Sequence, residues 1–306
     1  MPAELTEAAP GLVSLLSTCS LEFLNNGWRV RGTMRSQAKV DAWEAKYPQH
    51  KPQLEWALVE SLATPGAFDA AVKGVDAVAH VASPFTRSFD APRENVEKML
   101  GPAVKGTTSV LEAASRERSV KAVVITSSLA AAQDPAKGAD VGFTRTAATW
   151  SQFKWDDMVK EEVPIVVYLG SKQFAEEAAW KFMQDEKPAF RLTTIVPPMI
   201  LGPALQPLAS LAELNLSSGA VWNIVDAPEI PPTHVPASHL SSPTSDSLGV
   251  CKLMHRVLAG IHQRPRLRQG PLRGCGARRR GRAALPPHRR RQRRDRDRKV
   301  LTRGLS

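Results

Sequence analysis

Tyr168 and Lys172 stand four residues apart in the stretch YLGSK over 168–172, inside a helical pattern that runs on to residue 184. At that spacing both side chains project from one helix face. An unperturbed phenol titrates near ~10, and a neighbouring ammonium favours the phenolate, so Lys172 is expected to lower the Tyr168 pKa. Tyr168 is then a candidate general acid that gives a proton to a carbonyl oxygen while hydride reaches the carbon. About forty residues earlier, TSS ends at Ser128. A hydroxyl at the end of a strand can hydrogen-bond that same oxygen. Ser128 is such a hydroxyl. Taken alone, a Tyr-x-x-x-Lys pair reads equally well as a surface lysine beside a half-buried tyrosine. Order along the chain adds weight, because TSS closes one apolar run, the tyrosine helix precedes the next, and ligands of open α/β sheets gather at the carboxyl ends of strands.

The elements that must position these groups are legible as alternating periods. Residues 28–34, 54–59, 75–82, 121–127 and 190–196 read as strands, the third and fourth being short apolar runs of the kind buried on both faces of a parallel sheet. Helical patterns lie between them at 67–73, at 102–115 behind Pro102, and at 168–184 with Phe174, Ala178 and Phe182 on one stripe. Strand alternating with helix gives an α/β fold, a doubly wound parallel sheet with helices on both faces. In the order 3-2-1-4-5-6 the first strand is central. Residues 11–26 supply a helix before the strand at 28–34, but MPAELTEAAP ahead of it does not read as a buried strand. The sheet is therefore expected to lack a normal first strand. Only Gly11 occurs before Gly27, so the glycine-rich loop that lets backbone N–H groups approach a pyrophosphate is missing as well.

Several further stretches, in order, resemble one family. They are NNGWRVRGTMRS (25–36), GVDAVAHVASPF (74–85), PAVKGT (102–107), VVITSS (123–128), YLGSKQFAEEAAW (168–180) and PPMILGP (197–203). Over about residues 24–236 the chain is similar to the extended or atypical short-chain dehydrogenase/reductases, and in particular to dihydroflavonol reductase-like fungal NADPH-dependent aldehyde and ketone reductases. The resemblance implies a Rossmann-like domain over 1–196, atypical over 1–23, and a partial substrate-binding region over 197–236. It implies a catalytic set of Ser128, Tyr168 and Lys172, with Ser127 the less likely serine and with Tyr168 and Lys172 also touching the cofactor. Arg35 matches the residue that pairs with an adenosine 2′-phosphate, with Lys39 assisting, which points to NADP(H); a guanidinium suits phosphate. Val81, Ala82 and Ser83 match backbone lining the cofactor, and Pro197 and Ile200 match the wall near the nicotinamide. Met199, Leu205, Leu214 and Trp222 fall in the substrate region. Two features depart from the family, the missing TGxxGxxG loop and Ser61, where an aspartate usually meets the adenosine.

The implied activity is reduction of a small-molecule carbonyl compound. Its rival is a remnant of the same family that cannot bind cofactor. A third reading comes from charge. Residues 251–306 carry 17 Arg and 2 Lys against Asp295 and Asp297, a net of +17, which leaves −6 for residues 1–250. The body is mildly acidic, so overall basicity is no reason to expect a nucleic-acid partner for it. The tail over 237–306 reads as a nucleic-acid-binding arm, a disordered segment, or an out-of-frame translation. One codon choice for residues 261–269 (IHQRPRLRQ), read one base later, spells FINVRDFAK, which resembles the family's next motif. Cys19, Cys251 and Cys275 are far apart with no metal-site spacing, which predicts a reducing, cytoplasmic setting without a disulfide framework and without a bound metal. Glu4 and Glu7 do not suit a secretory leader, and no apolar run reaches the length of a membrane span.

Overall fold

The computed structural model describes residues 4–8, 13–81, 89–133, 144–202, 205–208, 210–211, 214, 216–226, 245–262 and 301–303. Its main sheet uses β1 (Glu4–Ala8), β2 (Arg29–Met34), β3 (Leu54–Leu58), β4 (Ala77–His80), β5 (Ala122–Thr126), β6 (Arg191–Val196) and β9 (Leu301–Arg303), in the order β3-β2-β1-β4-β5-β6-β9. All pairs among β1–β6 are parallel, and β9 joins β6 antiparallel. Two short strands, β7 (Ile200–Leu201) and β8 (Ser245–Asp246), pair only with each other. The helices are α1 (Val13–Asn25), α2 (Gln37–Lys46), α3 (Asp69–Val72), α4 (Gly101–Arg116), α5 (Trp155–Lys160), α6 (Pro164–Glu186), α7 (Leu216–Val225) and α8 (Ser247–His262). This is the doubly wound parallel sheet expected from the alternating pattern. No helix among the described residues is long and apolar enough to cross a membrane.

The central slot is filled, which corrects the expectation of a sheet without its first strand. Glu4–Ala8 pairs with Arg29–Thr33 on one side, and Leu5–Glu7 pairs with Ala77–Ala79 on the other. Backbone hydrogen bonding is indifferent to side-chain type, so two flanking strands can capture a segment whose acidic residues hide it from a hydrophobicity reading. The link from β1 to α1 is residues 9–12, with Gly11 as its one glycine, and it lies outside the described residues.

Local chemistry explains the other boundaries. Helix α1 ends in a left-handed turn at Gly27, φ +82°, where the Trp28 N–H reaches back to the Phe23 carbonyl at 3.1 Å. A residue with no Cβ takes that conformation freely. Helix α6 starts at Pro164, four residues before the expected position, since proline suits the first helical turn where its missing N–H costs nothing. Every residue of β4 and β5 is buried, which is why both read as continuous apolar runs.

Two expectations about the ends of the chain are corrected. Residues 247–262 form a helix, so the segment from 237 onward is not structureless throughout. Val250, Cys251, Met254 and Leu258 are buried at helical spacing and join the main core, with α8 packed on α1. Residues 263–300 lie outside the described residues. Cys19 on α1 and Cys251 on α8 are disulfide-bonded, with Cα atoms 4.8 Å apart despite a sequence separation of 232. Helix packing, which spacing along the chain cannot report, brings them within bridging distance.

Candidate active site

Ser128, Tyr168 and Lys172 converge where β5 ends. The chain leaves β5 at Ser127, whose N–H donates to the Ile195 carbonyl at 2.8 Å, and the Leu129 N–H donates to the Pro197 carbonyl at 2.8 Å. These bonds carry sheet pairing past the last strand residue and hold Ser128 level with the end of β6. Ser128 then caps a single 3₁₀ turn, its Oγ accepting from the Ala130 N–H at 3.2 Å. Buried Ser151 braces that turn: its Oγ lies 2.7 and 2.6 Å from the Ala130 and Gln133 carbonyls, which share its one hydroxyl proton, and accepts from the Gln133 N–H at 2.9 Å. Helix α6 brings the other two groups. It is pinned against α5 at Gly170, where an added Cβ would stand 2.7 Å from the Met158 side chain. Gln173 further fixes α6 to the preceding loop, accepting from the Phe153 N–H at 3.1 Å and donating to its carbonyl at 3.2 Å.

The electrostatics differ from the expectation in one respect. The half-buried Tyr168 ring packs beside Met99, Leu100, Met158 and Val167. Removal from water pushes its hydroxyl up to about 12, while a hydrogen bond with the Ser128 side chain works in the opposite direction. The expected lowering by Lys172 is therefore corrected, because burial wins. The Lys172 ammonium lies over the ring face, 5.7 Å from its centroid. A cation there attracts the π-system as much as it addresses the oxygen. Lys172 is itself 5% exposed. Burial brings its pKa down to about 8, against the opposing pull of Glu176. A group titrating near neutrality is well matched to proton traffic at physiological pH.

The remaining sequence-predicted residues are spread along the carboxyl ends of the strands. Val81, fully buried, follows β4 directly, while Ala82 and Ser83 lie outside the described residues. Arg35 follows β2 and is exposed, its pKa lowered somewhat by partial burial, and Lys39 is exposed in the first turn of α2. Pro197 is buried at the end of β6, and Ile200 is half-buried in β7. Between β1 and β4 the strand order reverses direction, and a crevice at such a switch point is where open α/β sheets take nucleotides. Ser61 is exposed beyond β3. Met199, Leu205 and Leu214 are half-buried and Trp222 is 39% exposed.

Sequence reading missed Glu176, Thr194 and His80, buried polar groups behind Ser128, Tyr168 and Lys172 that are 1%, 0% and 2% exposed. Ser127, weighed only as the less likely serine, is buried with them at 6%. A small cavity lined by His80, Thr107, Ser127, Lys172 and Glu176 includes neither Ser128 nor Tyr168. His80 is held neutral, its pKa down to about 3 through burial and then repulsion from Lys172, and its Nδ1 has no partner among the described residues. The signal for Glu176 was available: Tyr168, Lys172, Glu176 and Trp180 form one stripe at four-residue steps. The signal for His80 was a histidine amid the apolar residues of the fourth strand.

Comparison with known proteins identifies the family. Residues 64–223 match a sequence model of the NAD-binding family described as Male sterility protein. The chain is 36% identical over 197 residues to aldehyde reductase 2 of Sporidiobolus salmonicolor, covering 61% of this chain and 54% of that protein. It is 35% identical over 211 residues to cinnamoyl-CoA reductase CAD2 of Medicago truncatula, covering 66% and 58%. Among solved structures, Gre2 of Candida albicans in complex with NADPH superposes with a TM-score of 0.69 at 29% identity, covering 85% of this chain and 75% of that one. The chain spans about six-tenths of the length of the curated relatives it matches first. With more than half of its length inside the family match and a Rossmann-like sheet carrying the shared motifs, the chain belongs to this NAD-binding family of extended short-chain dehydrogenase/reductases.

Proposed function

We propose that this chain reduces a small aldehyde or ketone to the alcohol with NADPH. The observation that carries the reading is the convergence of Ser128, Tyr168 and Lys172 at the end of β5, beside the switch point of the sheet. Similarity to an aldehyde reductase and to an NADPH-bound reductase supports the same chemistry. The described residues suit the two ends of the cofactor. Arg35, exposed at the end of β2 with no protein partner among the described residues, offers a guanidinium to a 2′-phosphate. Lys172 and Tyr168 offer an ammonium and a phenol to the ribose beside the nicotinamide. No diphosphate contact is assigned, because the β1–α1 link lies outside the described residues. When bound, NADPH supplies the hydride.

The protein's own part is to orient the carbonyl and move one proton. Ser128 Oγ and Tyr168 Oη share a hydrogen bond, so a carbonyl oxygen inserted between them meets two hydroxyl donors. Tyr168, neutral at physiological pH, delivers its proton to the developing alkoxide. Lys172, charged below about 8, stabilises the phenolate left behind. The rival reading, a family remnant without cofactor affinity, draws on the four-residue β1–α1 link with its lone glycine.

Titration of the purified chain with NADPH, followed by nucleotide fluorescence and by consumption at 340 nm on adding a small aldehyde such as methylglyoxal, separates the two readings. Saturable binding with aldehyde-dependent consumption is the expected result. Absence of binding at millimolar NADPH overturns the reductase reading in favour of the remnant.

A further inference from the structure

The helix face that carries Tyr168 and Lys172 continues, at the same four-residue step, to Glu176 and Trp180. Glu176 is enclosed on three sides. Ser127 Oγ, at the end of β5, donates to its Oε2. Thr194 Oγ1, on β6, donates to Oε1 at 2.9 Å, and Trp180 Nε1, one turn along α6, donates to the same oxygen at 3.4 Å. An ionised carboxylate is acceptor-only, so a shell of donors is what it requires when buried. Donors alone leave its charge unbalanced, and a buried carboxylate also needs a cation. Lys172, one turn away and itself buried, is attracted to it. Among the described residues, the other titratable groups around Lys172 are His80 on β4, which is neutral, and Tyr168 on α6. Neither replaces Glu176 as a counter-charge.

We propose that Glu176 is a positioning residue of the Ser128–Tyr168–Lys172 group: it supplies the buried counter-charge to Lys172 and, through Ser127, holds the end of β5 that presents Ser128. The reaction reads this as two linked effects of one carboxylate. The ammonium stays protonated in a site that would otherwise expel its charge. The serine backbone is held from behind while its hydroxyl faces the substrate side. Only the kinetic consequence rests on the reductase reading above; the charge pairing does not.

The test follows the Lys172 Nζ directly, by NMR of protein carrying ¹⁵N-labelled lysine, with the resonance assigned through Lys172→Arg. In the unmodified chain the ammonium is expected to titrate at about 8. In Glu176→Gln, which keeps the shape and loses the charge, the midpoint falls by about one pH unit, the size of effect a lost neighbouring charge produces. Glu176→Asp keeps the charge and restores most of the shift. An unchanged midpoint in Glu176→Gln overturns the proposal. Should that variant not fold, Lys172→Met decides the matter through urea unfolding. A lowered urea midpoint is expected, because the carboxylate loses its partner, whereas an equal or raised midpoint overturns the pairing. If aldehyde turnover is detected, Glu176→Gln also shifts the alkaline limb of kcat to lower pH in step with the NMR midpoint. If the unmodified chain shows no turnover, the reductase reading fails while the NMR result still decides the role of Glu176.

Discussion

Strands β4 and β5 bury every residue they contribute, whereas β3, at the far edge of the sheet, leaves Leu58 53% exposed and Glu55 in solvent. The half built on β4, β5 and β6 is covered by α4 and α6 and encloses Lys172, Glu176, His80 and Thr194. The half built on β3 and β2 is more open and places its charges outside, where Arg29 and Arg31 both meet Glu55. A charge pair in the enclosed half interacts through little water and is strongly felt, while the same pair at the open edge is screened. The enclosed half is therefore where pKa values move furthest, at His80, Tyr168 and Lys172, and the open half holds solvent-facing Arg35, the group proposed above for a charged nucleotide end. The largest consequence should come from the enclosed half. Tyr168→Phe removes the proposed proton donor without removing the ring from its apolar bed. Turnover is expected to fall on the order of 10²–10⁴-fold, while NADPH still binds in the fluorescence titration, weakened only by the one ribose hydrogen bond that is lost. Wild-type turnover in this variant would sink the assignment of Tyr168 as general acid.

Packing should divide the halves the same way. Leu111 is fully buried on α4, which packs on β4, so Leu111→Ala leaves a cavity that costs roughly 2–5 kcal/mol. Leu58 ends β3 in solvent, and Leu58→Ala should change stability by no more than about 0.5 kcal/mol. Urea unfolding of the two variants side by side sharpens the contrast. Equal losses would mean that the open edge is covered by something the exposed Leu58 does not reveal.

The same contrast explains what could be read from the residues alone. β5 and β4 were legible as apolar runs because burial on both faces leaves a strong hydrophobic pattern, and α4 through its buried Val110, Leu111 and Ala114. α6 was legible as a helix, but the expected stripe of Phe174, Ala178 and Phe182 is only half-buried and the face it buries is largely polar, with Ser171, Lys172, Gln173 and Glu176. β1 was not, since ELTEA is accepted by its neighbours through the backbone and carries no such pattern. α2 was passed over because only Val40 and Trp43 among its ten residues are buried. The triad was legible as residue types at a spacing, yet the elevated Tyr168 pKa was not, because a sequence shows the neighbouring ammonium and hides the depth of burial. Glu176 went unread for a similar reason. Its three donors come from β5, β6 and its own helix, at sequence separations of 49, 18 and 4, and only the last is local. Cys19 and Cys251 became partners through the packing of α8 on α1, a contact no local pattern forecasts.

The smallest effect is expected at the open edge. Glu55 bridges Arg29 at 2.9 Å and Arg31 at 3.0 Å, with its own side chain half exposed. Exposed ion pairs are worth about 0.2–1 kcal/mol each, so Glu55→Gln should destabilise by an amount in that range and less at high salt. Arg31 keeps other work after the change, since its Nη1 donates to the Lys73 carbonyl at 2.6 Å and the Ala71 carbonyl at 3.2 Å. Those bonds hold the end of α3 against β2 whether or not Glu55 is charged. Arg31→Ala removes both roles and should therefore cost more than Glu55→Gln, and a larger part of its cost should survive in concentrated salt. Unfolding midpoints of the two variants at low and at molar sodium chloride measure the difference. If Glu55→Gln proved as damaging as Arg31→Ala and equally insensitive to salt, the β3 edge would be electrostatically enclosed like the β5 half, and the division between the two would fail.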